Sequence, residues 1–220
     1  MSVDGRGEVR LRADAARNRQ AIIDTARAVY RQRGLDAPVD DIARTAGVGN
    51  ATVYRHFPTR CALVAAAFAD TLTRVIHQAG QALHDPDPWA GFAGHVTFLC
   101  RLQATDRGLA DLLTTRVAAA PELEELRGEA YRAFVRLADR AQAAGALRAD
   151  FVAEDLVLLL MANAGLVHRT AEAAPAAWQR FIDLALDGLR SQAATPAAPP
   201  PSPQAVQRAM RQHGDQLGYS

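Results

Sequence analysis

The stretch VDDIARTAGVGNATVYRHFPTRCAL, residues 39–63, constrains this chain more than any other part of it. Val39, Ile42, Ala43 and Ala46 recur at helical intervals, Gly47 ends that short helix, and Val48 follows as an apolar plug beneath the turn. Asn50 reads as the N-cap of a second helix, Ala51 to Phe57. That helix can bury Val53 and Phe57, four residues apart, and leave Thr52, Tyr54, Arg55 and His56 facing outward. Pro58 stops it. Two short helices around a glycine turn, the second carrying polar and aromatic groups on its free face, have the layout of a DNA-reading helix-turn-helix.

The flanks extend the pattern. IIDTA, DIARTAGV, TVYRHF and FPTRCAL follow one another within residues 19–68, and in that order and spacing they resemble the N-terminal domain of the tetracycline-repressor (TetR) family of bacterial regulators. One position departs: Pro38 stands at the start of the second helix, where relatives often carry Ser or Thr. Proline suits a first helical turn but donates no hydrogen bond, so a phosphate contact there falls to backbone N–H groups or to Arg44.

The resemblance implies an all-α fold with an N-terminal three-helix helix-turn-helix DNA-binding domain and a C-terminal helical ligand-binding and dimerisation domain. On this chain the expected divisions are a disordered Arg-rich arm at 1–13, the DNA-binding domain at 14–60, the ligand and dimer domain at 61–191, and a disordered Pro-rich tail at 192–220. In the tail, five of the chain's 11 prolines fall within residues 196–203. A weak helix over 204–217 is conceivable but carries no assigned role.

Charge distribution agrees with a nucleic-acid partner at one end. All 25 basic residues are Arg, and the whole chain has a net charge of only +1. Residues 1–60 nonetheless hold 11 Arg against 7 acids, while the remainder is net acidic. Arg6, Arg10, Arg12, Arg17 and Arg19 precede or open the first helix and could reach phosphates or a minor groove; the plainer alternative is a solvated leader. Cys61 and Cys100 lack metal or redox spacing and are expected to be reduced structural thiols. The longest apolar run, Leu156 to Ala162, is far short of the ~20 residues of a membrane span, so the expected location is the cytoplasm.

Periodicity predicts further helices. The first runs from about Asp14 to Arg33 and stops at Gly34, and a long one starts near Arg60 and continues through Leu83, linking the two domains. Others follow from Trp89 to Leu102, from Arg107 to Val117, and from Pro121 to Gly145. GALRADFVAEDL, residues 145–156, resembles the connection before the penultimate helix of relatives, with Asp150 a candidate N-cap. The last two helices, about Val152–Thr170 and Ala176–Arg190, would supply half of a four-helix homodimer seam, chiefly on the family resemblance; alternatively they cap their own domain.

Docked as the motif suggests, Gly49, Asn50 and Ala51 lie closest to base edges of a double-stranded operator. Asn50 alone among them has a side chain able to pair with adenine, unless capping occupies it. Thr52, Tyr54 and His56 match family positions that contact phosphate, and Arg60 stands where relatives commonly place Lys for the same purpose. Arg55 is either a further contact or a solvated charge. The C-terminal part contains no nucleophile elbow, phosphate loop or metal-ligand spacing, so neither an enzyme nor a metal or cofactor is expected. The family implies instead a pocket for a small-molecule effector, apolar or aromatic. Trp89, Phe92, His95, Phe98, Leu99, Met161, Asn163 and His168 are candidates by position, with ordinary core packing the competing role of each. The expected function is a ligand-responsive regulator, most simply a repressor released from an inverted repeat by its effector; the alternative is a ligand-independent DNA organiser.

Overall fold

A computed structural model describes residues 5–116 and 120–219. The described residues form ten α-helices and no strands. In chain order these are α1 (Gly5–Arg33), α2 (Val39–Thr45), α3 (Asn50–His56), α4 (Arg60–Ala82), α5 (Pro88–Thr105), α6 (Arg107–Thr114), α7 (Pro121–Ala143), α8 (Ala153–Thr170), α9 (Ala177–Leu189) and α10 (Pro203–Gln216).

Local chemistry sets most boundaries. Gly34, Gly47 and Gly145 adopt positive φ and end α1, α2 and α7, a conformation that costs glycine nothing. Thr59, Asp87 and Asp106 cap α4, α5 and α6 by accepting backbone N–H bonds from Ala62, Trp89 and Leu109. The cap expected from Asp150 is not made: its carboxylate forms an ion pair with Arg148 at 2.5 Å. Val152 is the N-cap residue of α8, and Asp155 reaches back to accept from its N–H at 2.9 Å. Asn50 likewise is the first helical residue of α3 rather than its cap, which is Gly49 with no side chain to offer.

Both terminal segments differ from expectation. Residues 1–4 of the expected arm lie outside the described residues, but from Gly5 the chain is helical and continuous with α1. The sequence RLRADAARNRQA is rich in good helix formers, and extending a helix already nucleated downstream carries no new nucleation cost. The larger correction concerns the tail. After the proline run, Ser202 caps α10, whose first helical residue is Pro203, and the segment folds back onto the body. Val206 and Tyr219 become buried, as does the backbone at Gly214.

Two main apolar clusters result. The first joins α1, α2, α3 and the N-terminal half of α4 to Leu109 and Leu112 of α6, Leu123 of α7, and Tyr219. The second fills the space among α5, α7, α8 and α9 around Phe92, Phe134, Phe151 and Trp178. The helix-turn-helix thus has no separate core. Gly108 shows how close α6 lies to α1 and α4: a Cβ there would stand 2.9 Å from the Tyr30 carbonyl oxygen and 2.8 Å from the Phe68 ring. Arg27 and Asp111 add polar ties, Arg27 Nε donating to the Ala67 carbonyl at 3.0 Å and the Asp111 carboxylate accepting from Leu35 N–H at 2.7 Å.

Candidate DNA-reading face and effector cavity

The turn between α2 and α3 is built by its backbone. Gly47 at φ +68° lets the chain reverse, and Val48 N–H donates to the Ala43 carbonyl at 3.0 Å, so the half-buried Val48 side chain sits under the turn. Val53 and Phe57 then anchor α3 in the core. Opposite them, Gly49, Asn50, Ala51, Tyr54 and Arg55 are exposed, while Thr52 and His56 are half-buried at the edges. Tyr54 is 46% exposed, among the few large apolar side chains on the surface, which disfavours a core-closing role for its ring. The Asn50 amide donates to Asp40 at 2.6 Å, which leaves its oxygen as the freer end. Arg44 is exposed beside Asp41, and Arg19 of α1 lies over the Phe57 ring at 5.1 Å, next to the end of α3.

Arg60 is where the structure departs from the expected phosphate contact. Its guanidinium turns inward, donating to the carbonyls of Leu35 and Ala37 and, at 3.1 Å, to that of Leu217. It also lies 4.4 Å from the centroid of the Tyr219 ring. These carbonyls follow the end of α1 and the end of α10, so Arg60 serves as an internal clamp. The Tyr219 hydroxyl completes it by donating to the Leu35 carbonyl at 2.6 Å. Burial pushes the Tyr30 phenol beside this clamp up to about 12.

A cavity of about 500 Å³ lies between α4, α5, α7, α8 and α10. Its walls are mainly apolar, with Leu72 and Val75 from α4, Leu99 from α5, Phe134 from α7 and Leu160 from α8. Val206 and Met210 of α10 form one side, held where Arg116 N–H donates to the Met210 carbonyl at 3.1 Å. Polar groups interrupt the lining in several places, among them His95 and a separate charged cluster. His95 pairs through Nδ1 with Gln78 Oε1, and burial pushes its pKa down to about 4, so the ring is neutral at pH 7. A neutral ring that donates from Nδ1 presents Nε2 as an acceptor. Elsewhere Arg116, Glu124 and Arg127 form a cluster in which Arg116 pairs with one Glu124 oxygen and Arg127 Nη1 stands 3.6 Å from the other.

Of the eight effector-contact candidates, His95 and Leu99 line this cavity. Trp89 and Phe92 instead build the second core, and Phe98 packs against it. Asn163 is a stitch between α8 and α5, its amide donating to Gln103 Oε1 at 2.8 Å and to the Cys100 carbonyl at 3.3 Å. His168 is exposed beside Arg107, and Met161 lies outside the lining. Sequence reasoning missed Arg116, Glu124 and Arg127, charged residues in a stretch otherwise legible only as helix, and every contribution from α10. Cys61 and Cys100 are free and buried, and burial pushes the Cys100 thiol up to about 12. No helix among the described residues is long and apolar enough to cross a membrane.

An exposed helix-turn-helix second helix on an all-helical body with a cavity between its helices defines a two-part regulator of the DNA-binding class. The chain matches the model of bacterial regulatory proteins of the TetR family over residues 22–67 and that of the SbtR-like transcriptional regulator C-terminal domain over residues 87–191. It is 31% identical to a TetR transcriptional regulator from Streptomyces coelicolor, covering 78% of this chain and 98% of that one with a TM-score of 0.51. The protein belongs to the TetR family of DNA-binding transcriptional regulators. More distant structures share the fold. RolR in complex with resorcinol is 20% identical, with 90% and 95% of the two chains covered and a TM-score of 0.52. FadR from Bacillus subtilis in complex with stearoyl-CoA is 16% identical, with 77% and 98% covered and a TM-score of 0.58. No curated protein matches the sequence.

Proposed function

We propose that this protein is a ligand-responsive transcriptional repressor that binds an inverted-repeat operator as a homodimer through α3 and releases it when a small molecule enters the C-terminal cavity. The observation that carries this reading is the sharing of helices between the two sites. Leu72, in the cavity wall, is on the same helix as Cys61, Leu63 and Val64 of the DNA-binding core, and Leu113 of the wall is next to Leu112 of that core. An occupant that displaces α4 or α6 must shift the packing under α2 and α3, because a close-packed interior transmits rather than absorbs such a change.

In this reading Asn50 and Ala51 approach base edges, and Tyr54, Thr52 and His56 position the phosphates. Dimerisation is supported by the exposed Leu158 on α8 and Leu184 on α9, apolar side chains on the two helices that the second core leaves facing solvent. Along α8, Leu158 shares its exposed face with Ala162 and Gly165, small residues that permit a close helix approach. RolR and FadR, which share the fold, form complexes with resorcinol and stearoyl-CoA, which agrees with an effector here. A cavity of about 500 Å³ also favours this reading over a ligand-independent organiser, whose core has no reason to stay open.

The test is selection of operator DNA from a random duplex pool with the purified protein, followed by a small-molecule screen for release. Enrichment of an inverted repeat bound by two subunits, and its release by at least one cavity-binding molecule, is the expected outcome. Effector and DNA must then weaken each other's binding by the same factor. Failure to enrich any duplex sequence would remove the reading.

A further inference from the structure

We propose that the effector is an apolar monocarboxylate, about 10 Å long, whose carboxylate pairs with Arg127 while its body lies along α7 toward Phe134 and His95. This rests on the cavity being the effector site and specifies the chemistry the site selects. Arg127 holds its guanidinium by donating to the Leu112 carbonyl and, at 2.5 Å, to that of Thr115. Those bonds use Nη2. Nη1 is buried with no hydrogen-bond partner among the described residues, and so is the nearer Glu124 oxygen.

The charge balance around that nitrogen is incomplete. Within ion-pair distance Arg116 and Arg127 share a single carboxylate, Glu124, which leaves one positive charge locally, and of the three Arg127 is the most withdrawn from water, Arg116 and Glu124 being half-buried. Burial lowers the Arg127 pKa to about 10, the sign of a cation missing part of its solvation. Glu154, the other acid of the lining, is half-buried on the first turn of α8 and faces Tyr131, whose phenol is raised first by partial burial and then by the Glu154 charge. A single negative charge balances the cluster, whereas a phosphate would overcompensate it and an ammonium would add to the excess. A hydroxyl would satisfy the donor but leave the charge. A carboxylate supplies both the charge and acceptor oxygens suited to a guanidinium.

The length follows from the helix. Arg127 and Phe134 line the cavity seven residues apart on α7, which places them about 10 Å from each other along its axis. Phe134 stacks near His95 at 6.2 Å between centroids, so the neutral ring marks the far end. Between them the walls are apolar, with Leu72, Leu99, Leu160 and Met210 contributing.

Calorimetric titration of the full chain with octanoate, octanol and octylamine, and with phenylbutyrate against phenylbutanol, tests the proposal. Each carboxylate should bind roughly ten-fold or more tightly than its alcohol, the margin of a charge-assisted hydrogen bond, and the amine should bind weakest. In Arg127→Gln that preference should fall to within about two-fold, while Arg127→Lys should keep most of it. Because Arg127 also holds the end of α6, circular dichroism must show both variants folded, and the comparison on the parent protein stands without them. Alcohol binding as tight as carboxylate binding overturns the carboxylate assignment but leaves the cavity as an effector site. Binding of none of the five overturns the assignment as well, and the operator-release screen then decides separately whether the cavity takes any effector.

Discussion

Replacing Tyr219 by Ala probes whether the C-terminal segment is a structural part of the DNA-binding unit. The ring is 1% exposed within the first core, lies over Arg60, and its hydroxyl donates to the Leu35 carbonyl at 2.6 Å. Truncating a buried aromatic to Ala costs about 3–5 kcal/mol, and the removed hydrogen bond and cation–π contact are parts of the same loss. The loss has a ceiling, because residues 203–219 can leave the body once their anchor is gone. The cost therefore cannot exceed the docking free energy of the whole segment, which a chain ending at residue 202 measures directly. Tyr219→Phe removes only the hydroxyl, and Leu35 still accepts from Arg60, so its cost should be about 1 kcal/mol. In a chain of this size 1 kcal/mol moves the melting temperature by roughly 2–4 °C. Thermal unfolding followed at 222 nm should therefore show Tyr219→Phe falling by about 2–4 °C. Tyr219→Ala and the truncated chain should fall further, to similar values. If Tyr219→Ala and the truncated chain both melt within a degree or two of the parent, the segment is not docked in solution and the tail is a disordered appendage after all.

Arg60 and Tyr54 should separate cleanly. Arg60→Ala is expected to lower the melting temperature by several degrees, and Tyr54→Ala to leave it unchanged while weakening operator binding roughly five- to ten-fold for all sequences alike; fluorescence anisotropy beside a melt distinguishes them. Burial depresses the His95 pKa to about 4 from an ordinary 6.5, so the unfolded chain binds the extra proton first. Stability from this group is complete above pH 6.5 and declines by up to about 3 kcal/mol as pH falls toward 4, and urea midpoints should show His95→Gln losing that part of the slope. Gly108→Val should cost about 3 kcal/mol or prevent folding, since its side chain would enter the space of Tyr30 and Phe68; a melting temperature equal to the parent's would mean that α6 does not pack as described.

The helix-turn-helix was legible because each of its signals is local. Gly47, Pro58 and the spacing of Val39, Ile42, Val53 and Phe57 act within a few residues, and the structure places them as the pattern requires. The helices of the C-terminal part could be read for the same reason, within a residue or two of their ends except at Pro88–Thr105, which runs three residues past the expected Leu102, and at Arg107–Thr114, which is shorter than expected. What could not be read is which side chains meet across long sequence separations. Arg60 sits where a phosphate contact is expected, but its actual partners are Leu35, Ala37 and Leu217, and no local pattern announces a carbonyl donated from 157 residues away. Asn163 posed the same difficulty in reverse: a polar residue on an apolar helix suited a ligand, but its amide nitrogen donates to Gln103 of another helix, while its oxygen has no partner among the described residues.

The tail carried more signal than its prolines suggested. Val206, Met210 and Leu217 are spaced so as to share one face of a helix, and Tyr219 is a lone aromatic that a solvated segment has no need of. The proline run from 196 to 201 is an extended spacer, and its composition reports only on itself. Its physical consequence is a tail that touches both functional parts of the molecule. Val206 and Met210 form a wall of the cavity, and Leu217 and Tyr219 close over Arg60 at the start of α4. An occupant of the cavity therefore has a further mechanical route to α3, through α10, besides those through α4 and α6. The one through α10 can be loosened in steps without touching the cavity's other walls: Tyr219→Phe removes one hydrogen bond, and Tyr219→Ala removes the whole ring from Arg60. If the α10 route matters, coupling between effector and operator should fall slightly in Tyr219→Phe and further in Tyr219→Ala, measured at saturating effector. Unchanged coupling in both variants would assign the whole transmission to α4 and α6.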